Sequence, residues 1–263
     1  MSEEFTADEA MTVAAARELT DRTVCFVGIG LPSTSANLAR LTHAPDTVLV
    51  YESGTIGSKP KTLPLSIGDG ELAETADSVV SVPEIFNYWL QGGWIDVGFL
   101  GAAQIDPRGH LNSTVIGDYD RPQVRLPGAG GAPEIATLAK DIIVIMRQSA
   151  RAFVEELDFR SSAGSPSAVI TDLGLLRCSL GRRFSAQRGL RLGAQRVGVG
   201  HELARQLLVQ QREHEVLGVE LRVAHPARKL LRARNGFLRF QGQLVEVQCS
   251  PWCCRVGTGR GAW

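Results

Sequence analysis

An α/β fold on an open, largely parallel sheet with flanking helices is what this 263-residue sequence predicts. Three observations carry the prediction. Short apolar runs rich in β-branched residues recur through the first two-thirds of the chain. Most of them stop at Gly, Asp or Pro. Helix-like segments lie between several of them, the alternation expected of strands buried under helices.

In chain order, Thr6 with Glu9 three residues later forms a capping box, opening an amphipathic helix through about Leu19. Strands are predicted at 23–30 (TVCFVGIG), 47–53 (TVLVYES), 78–82 (SVVSV), 96–102 (DVGFLGA), 141–146 (DIIVIM) and 167–172 (SAVITD). Helices are predicted at 33–44, 83–93 and 133–141. In such folds ligands sit at the carboxyl ends of the strands. The stretch TVLVYESGTIGS (47–58) delivers an ionisable acid, Glu52, to one of those ends, with Ser53 and Gly54 behind it.

Composition narrows the class. Hydrophobic residues make up 44% and charged residues 21%, as in soluble globular proteins. No apolar run approaches a membrane span of about eighteen residues. The start, MSEEFTADEA, lacks the basic and apolar regions of a signal peptide. A cytoplasmic protein without membrane contact is expected.

The net charge of zero hides an asymmetry. Residues 1–177 hold 13 basic and 23 acidic side chains, and residues 178–263 hold 15 and 5. Every Asp lies at or before Asp172, and four of the five cysteines (Cys178, Cys249, Cys253 and Cys254) lie after it. The chain reads as a domain over 1–177 and an atypical Arg-rich tail over 178–263.

Three chemistries compete for Glu52. A dinucleotide site would use Gly28 and Gly30 of GIGLPS, with Glu52 on a ribose hydroxyl. Ser33 at the third glycine position weakens that reading. Pro32, which removes an N–H where pyrophosphate would be cradled, weakens it further. A serine nucleophile at Ser53 would need glycine two places earlier, where Tyr51 stands. His43 and His110 show no acid partner in the sequence and read as loop residues. The third chemistry makes Glu52 the reacting group. An ordinary Glu is ionised at neutral pH and attacks a thioester without a base to activate it.

Acyl transfer also needs donors for an oxyanion. LPGAGGAPEIATLAK (126–140) places Gly128, Gly130 and Gly131 before Pro133, which suits the first turn of a helix. The alternative is a flexible glycine turn.

GIGLPSTSANLARLTHAPDTVLVYESG, FLGAAQIDPRGHLNSTVIGDY and LPGAGGAPEIA occur in an order and spacing that resemble the β (B) subunit of class I CoA-transferases, in the glutaconate CoA-transferase-like branch. The resemblance covers about Ala7 to Arg177. It implies the NagB/RpiA-like fold of CoA-transferases, with Glu52 as acyl acceptor. Gly130 and Gly131 match the segment whose backbone N–H is associated with the oxyanion hole. Asn112 matches an asparagine that faces the bound thioester, and Gly28 and Gly30 match a loop lining the same cavity. Asn112 could equally satisfy turn backbone groups. Gln104 and Asp106 read as loop-holding residues.

The resemblance further implies coenzyme A thioesters as substrates and no permanently bound cofactor or metal. It implies an α subunit as partner, in a heterodimer or larger assembly, without which the chain is inactive. Two other roles stay open. One is a CoA-thioester hydrolase opening steroid-derived rings, although β chains of that kind lack the ESG glutamate. The other is a catalytically inactive remnant.

From Cys178 onward the resemblance ends. The arginines of the tail are spread evenly, with few aromatics for stacking, so nucleic acid is not an expected partner. CSPWCC (249–254) lacks a second ligand pair for a metal. Enrichment in Arg, Gly, Ala and Cys, with Asp absent, is the composition of out-of-frame translation of a GC-rich gene. Such a segment is expected to fold poorly. HELARQLLVQQREHEVLGVEL (201–221) still carries a helical pattern, with Leu203, Leu207 and Leu208 on one side.

Overall fold

The computed structural model describes residues 5–177, 185–186, 204–209, 237–240, 243–250 and 253–258. Helix α1 (Ala7–Ala16) opens on the predicted capping box: Glu9 N–H donates to Thr6 Oγ1 at 3.2 Å and Thr6 N–H donates to Glu9 Oε2 at 2.6 Å. Then follow β1 (Val24–Phe26), α2 (Leu31–Leu41), β2 (Val48–Val50), β3 (Thr55–Ile56), α3 (Gly70–Glu74) and β4 (Ser78–Val79). Helix α4 (Val82–Glu84) runs directly into a π-helical turn, Ile85–Leu90. After β5 (Val97–Leu100) come two small hairpins, β6 (Gln104–Ile105) with β7 (Leu111–Asn112), and β8 (Val115–Gly117) with β9 (Pro122–Arg125). Helix α5 (Ala132–Leu138), β10 (Asp141–Ile145), β11 (Ala168–Ile170), β12 (Leu175–Arg177) and β13 (Ser185–Ala186) complete this unit's labelled elements.

Among the described residues the main sheet has nine strands, in the order β13-β12-β11-β10-β5-β1-β2-β3-β4. The five central strands, β11 to β2, are parallel. The flanking pairs are antiparallel, so the sheet is mixed, with the predicted parallel set at its centre.

The continuous apolar runs have a direct cause. Successive strand residues point to opposite faces, and both faces are covered. Cys25, Leu49, Phe99 and Ile143 pack with Met11 of α1 and Leu38 of α2. Their neighbours Phe26, Val50, Leu100 and Val144 pack on the other face with Ile85 and Leu90 of the π-turn and Ile135 of α5. Each buried aliphatic side chain contributes about 1.5–3 kcal/mol.

The structure departs from the sequence reading in several places, among them the predicted helix 83–93, most of which is a π-helical turn. The predicted strand 78–82 pairs only over Ser78–Val79, at an exposed edge. A second capping box takes over there, Ser81 with Glu84, and starts α4. The hairpins of 104–125 were not predicted, because their strands lack the continuous apolar runs that marked the central ones.

The protein divides into two compact units, 1–211 and 212–263. In the first, Arg177 grips Glu18 through two bonds of 2.7 and 2.8 Å. Residues 204–209 are helical, Arg205 Nε donates to Glu9 Oε1 at 2.8 Å, and Ala204 and Leu207 join the core. The rest of the predicted 201–221 helix, like Cys178, lies outside the described residues. The second unit contains an antiparallel meander of β14 (Phe237–Phe240), β15 (Gln243–Ser250) and β16 (Cys253–Thr258), with Cys249 opposite Cys254 in register.

Candidate active site at the carboxyl end of the sheet

Strands β1 and β2 are parallel, with Phe26 opposite Val50. Gly28 and Glu52 each lie two residues past that rung, at the same end of the sheet. The turn that carries Glu52 is tight. Tyr51 N–H donates to Thr55 O, and Gly54 N–H donates to Tyr51 O, both at 3.0 Å. Tyr51 is fully buried and anchors the turn from below. Its hydroxyl lies 3.2 Å from Ser33 Oγ on α2, and burial pushes its pKa up to about 12. Gly54 has φ +103° and lies under Val80, whose carbonyl oxygen would be 1.9 Å from any Cβ there. Only glycine fits that turn.

Glu52 itself is half-buried. Burial holds its carboxyl above the usual Glu range, the Gly131 backbone N–H pulls it back, and the Glu134 carboxylate on α5 adds to the rise. The side chain reaches the glycine loop: a Cβ on Gly131 would stand 2.9 Å from Glu52 Oε1 and 2.6 Å from Phe86 Cζ. The loop is held from beneath. Leu126 N–H donates to Thr114 O at 3.0 Å and Gly128 N–H donates to Ser113 O at 2.9 Å. Gly128 and Gly130 have φ of +102° and +53°, and a Cβ at either would meet nothing within 4 Å. The loop therefore presents bare backbone to open space, beside a carboxylate.

A Cβ on Gly28 would stand 3.9 Å from Phe99 O and from the Pro32 ring, and Gly30 caps α2 with φ +89°. Both glycines belong to the βα turn at the same sheet end as Glu52. Asn112 is fully buried and turned inward on its hairpin. Its Nδ2 donates to Gln104 Oε1 (2.7 Å) and Val115 O (2.6 Å), and its Oδ1 accepts from Thr114 N–H (3.0 Å) and Val115 N–H (3.3 Å). Two donors and two lone pairs are the full capacity of a carboxamide.

Gln104 extends the same network to Asp158 through bonds of 3.0 and 3.2 Å. Asp106 accepts from Arg108 N–H and His110 N–H and lies 2.9 Å from His110 Nδ1. His43 is tied to Thr42 Oγ1 and Leu19 O. Ser53 Oγ is buried with no hydrogen-bond partner, so no base activates it. The neighbours of Glu52 that sequence reasoning passed over are Phe86 and Glu134. Both sit in segments read only as helix, and nothing in their spacing marked them.

Residues 8–183 match the family model described as Coenzyme A transferase. The chain is 60% identical over 193 residues to the B subunit of 3-oxoadipate CoA-transferase from Pseudomonas knackmussii, spanning 67% of this chain and 74% of that protein. It is 34% identical over 196 residues to the B subunit of glutaconate CoA-transferase from Acidaminococcus fermentans, spanning 66% and 73%. The crystal structure of glutaconate coenzyme A-transferase from Acidaminococcus fermentans superposes with a TM-score of 0.66 at 30% identity, covering 71% of this chain and 80% of that one.

Proposed function

The chain belongs to the coenzyme A transferase family, and from that premise we propose that it is the β subunit of a heteromeric transferase working through Glu52. The observation that carries the reading is the half-buried Glu52 carboxylate facing Gly131, beside loop backbone open to an incoming group. The carboxylate attacks the carbonyl carbon of an acyl-CoA, and CoA thiolate leaves to give a mixed anhydride. The thiolate then attacks the glutamyl carbonyl and expels the free acid, leaving a glutamyl-CoA thioester on Glu52. A second carboxylic acid takes the CoA by the reverse sequence. Every bond broken is matched by one of the same kind formed at the same oxidation level, so the sequence needs no redox cofactor or ATP, and the proposal includes no metal.

Burial makes Glu52 a more basic nucleophile than an exposed carboxylate. The Gly131 N–H, which favours the ionised carboxylate, would serve the oxyanion that forms when thiolate adds to the glutamyl carbon. Gly130 contributes the αL backbone that exposes the loop, and Gly28 and Gly30 line the same sheet end. Asn112 holds the loop from below.

The 60% identity to a 3-oxoadipate CoA-transferase subunit supports a 3-oxo dicarboxylic acid as the substrate class. An α subunit supplies the remaining wall, and the complex works in the cytoplasm, where CoA thioesters are made and used. The composition break after Arg177, close to residue 183 where the family match stops, supports a change of reading frame. If the coding DNA holds no family-like sequence in another frame past that codon, the frame-shift reading fails.

The test of the function is direct. The chain is co-expressed with an α subunit, supplied with an acyl-CoA and 3-oxoadipate, and trapped with borohydride. CoA should move to the acid, and mass spectrometry should find the modification on Glu52. Release of free CoA without an acceptor, and no label at Glu52, would make the protein a hydrolase instead.

A further inference from the structure

Gly131 differs from its neighbours in the glycine loop. Gly128 and Gly130 need glycine for their positive φ, whereas Gly131 has φ −82°, which any residue adopts. What excludes a side chain there is crowding. The point where a Cβ would stand is 2.6 Å from Phe86 Cζ, 2.9 Å from Phe86 Cε1 and 2.9 Å from Glu52 Oε1. A ring edge and a carboxylate oxygen thus both crowd the point that a Gly131 Cβ would occupy.

The ring comes from the π-helical turn Ile85–Leu90, marked by the Gln91 N–H to Phe86 O bond of 2.9 Å across five residues. Such turns are rare and concentrate at functional sites. Ile85 and Leu90 are fully buried and fasten the turn at both ends. Phe86 leans on Phe26 of β1, centroids 6.0 Å apart at 53°. Phe26 is itself buried in the strand beside β2. The ring is therefore backed by the sheet through Phe26.

We propose that Phe86 is the positioning residue for Glu52: its ring pins the carboxylate against the Gly131 amide and keeps bulk water off it. This rests on the transferase reading above and adds a group to it. The consequence is chemical. A glutamyl-CoA thioester is lost if water adds to its carbonyl carbon, CoA thiolate departing with a proton and Glu52 returning as the free acid. A ring packed over the carboxyl group removes the space such a water would occupy. Burial as the leading cause of the raised Glu52 carboxyl agrees with this placement. The charged group that bears on Glu52 from α5 is Glu134, while Glu84 on α4 turns its carboxylate back onto Ser81 N–H at 2.8 Å.

The experiment compares wild type, Phe86→Ala and Phe86→Leu in the complex with the α subunit. The Glu52 carboxyl is followed by carbon-13-detected titration, and CoA transferred is measured against CoA released to water. In Phe86→Ala the Glu52 titration should move to lower pH, transfer should fall about 100-fold through lost positioning, and the released share of CoA should rise. Phe86→Leu, which refills most of the space, should recover both readouts. A Glu52 titration and a transfer-to-release ratio unchanged in Phe86→Ala would overturn the proposal, leaving Phe86 a packing residue. A Glu52 titration that shifts as expected in Phe86→Ala, while the wild-type complex never transfers CoA, would uphold the positioning by Phe86 and sink the transferase reading instead.

Discussion

Two polar side chains of the same domain, Glu52 in the turn after β2 and Asn112 at the end of β7, are treated in opposite ways. Asn112 is fully buried, and all four of its hydrogen-bonding positions are used by Gln104 across its hairpin and by the Thr114–Val115 backbone that follows. Glu52 is half-buried and carries a carboxyl raised by that burial, which the Gly131 amide partly offsets. Saturation buys rigidity and leaves nothing for a ligand. Undersaturation costs stability and leaves a group free to react. On the reading proposed above, Asn112 is scaffold and Glu52 is chemistry.

The sharpest way to break that contrast is to neutralise each side chain. Glu52→Gln should lower transfer by about 10⁴-fold or more, as losing a nucleophile does, without lowering Tm. Steady-state kinetics and a thermal melt read the two sides, and a variant that keeps activity ends the assignment. Asn112→Ala should do the reverse. Gln104 Oε1 and the 114–115 backbone lose their partner, costing about 3 kcal/mol and lowering Tm by roughly 6–12 °C. Borohydride trapping at Glu52 should persist at low temperature; its loss in a folded variant would put Asn112 in the chemistry.

Inside the glycine loop the contrast can be refined. Gly131→Ala drives a methyl into Phe86 and Glu52 and should lower transfer about 100-fold through misplacement. Gly130→Ala meets open space and should cost about 1–2 kcal/mol of αL strain in stability, with a smaller effect on kcat. Equal effects on kcat would show that loop shape alone matters.

The smallest effect expected is on stability against pH. Because the folded state raises the Glu52 carboxyl, it favours the protonated form. The stability this contributes is full below the unfolded Glu value and is lost as pH rises through the folded one. Glu52→Gln mimics the protonated form. It should therefore match wild type in acid and exceed it at neutral pH, as denaturant titrations at several pH values would show. A gap that widens on acidification would mean that the carboxyl is lowered, not raised.

Much of this was legible in the residues. The five central strands, the Thr6–Glu9 cap and the arrival of Glu52 at a strand end all follow from local rules. Apolar runs must be buried, an N-cap needs an oxygen, and a strand end beside Ser and Gly is accessible. The positive-φ positions Gly54, Gly128 and Gly130 were visible as glycines. The two hairpins of 104–125 were not, since pairs this short are made by the Asn112–Gln104–Asp158 network and not by periodicity.

What the sequence by itself determined is the layered α/β unit and the identity of the acid offered at its edge, because covering a sheet on both faces and capping a helix depend on neighbours in the chain. Only the tertiary structure decided what surrounds that acid. It turned Asn112 inward and brought Phe86 from a π-turn and Glu134 from α5 against Glu52. Those meetings depend on side-chain direction and on contacts between residues some 35 to 80 positions apart in the chain, which no local pattern encodes.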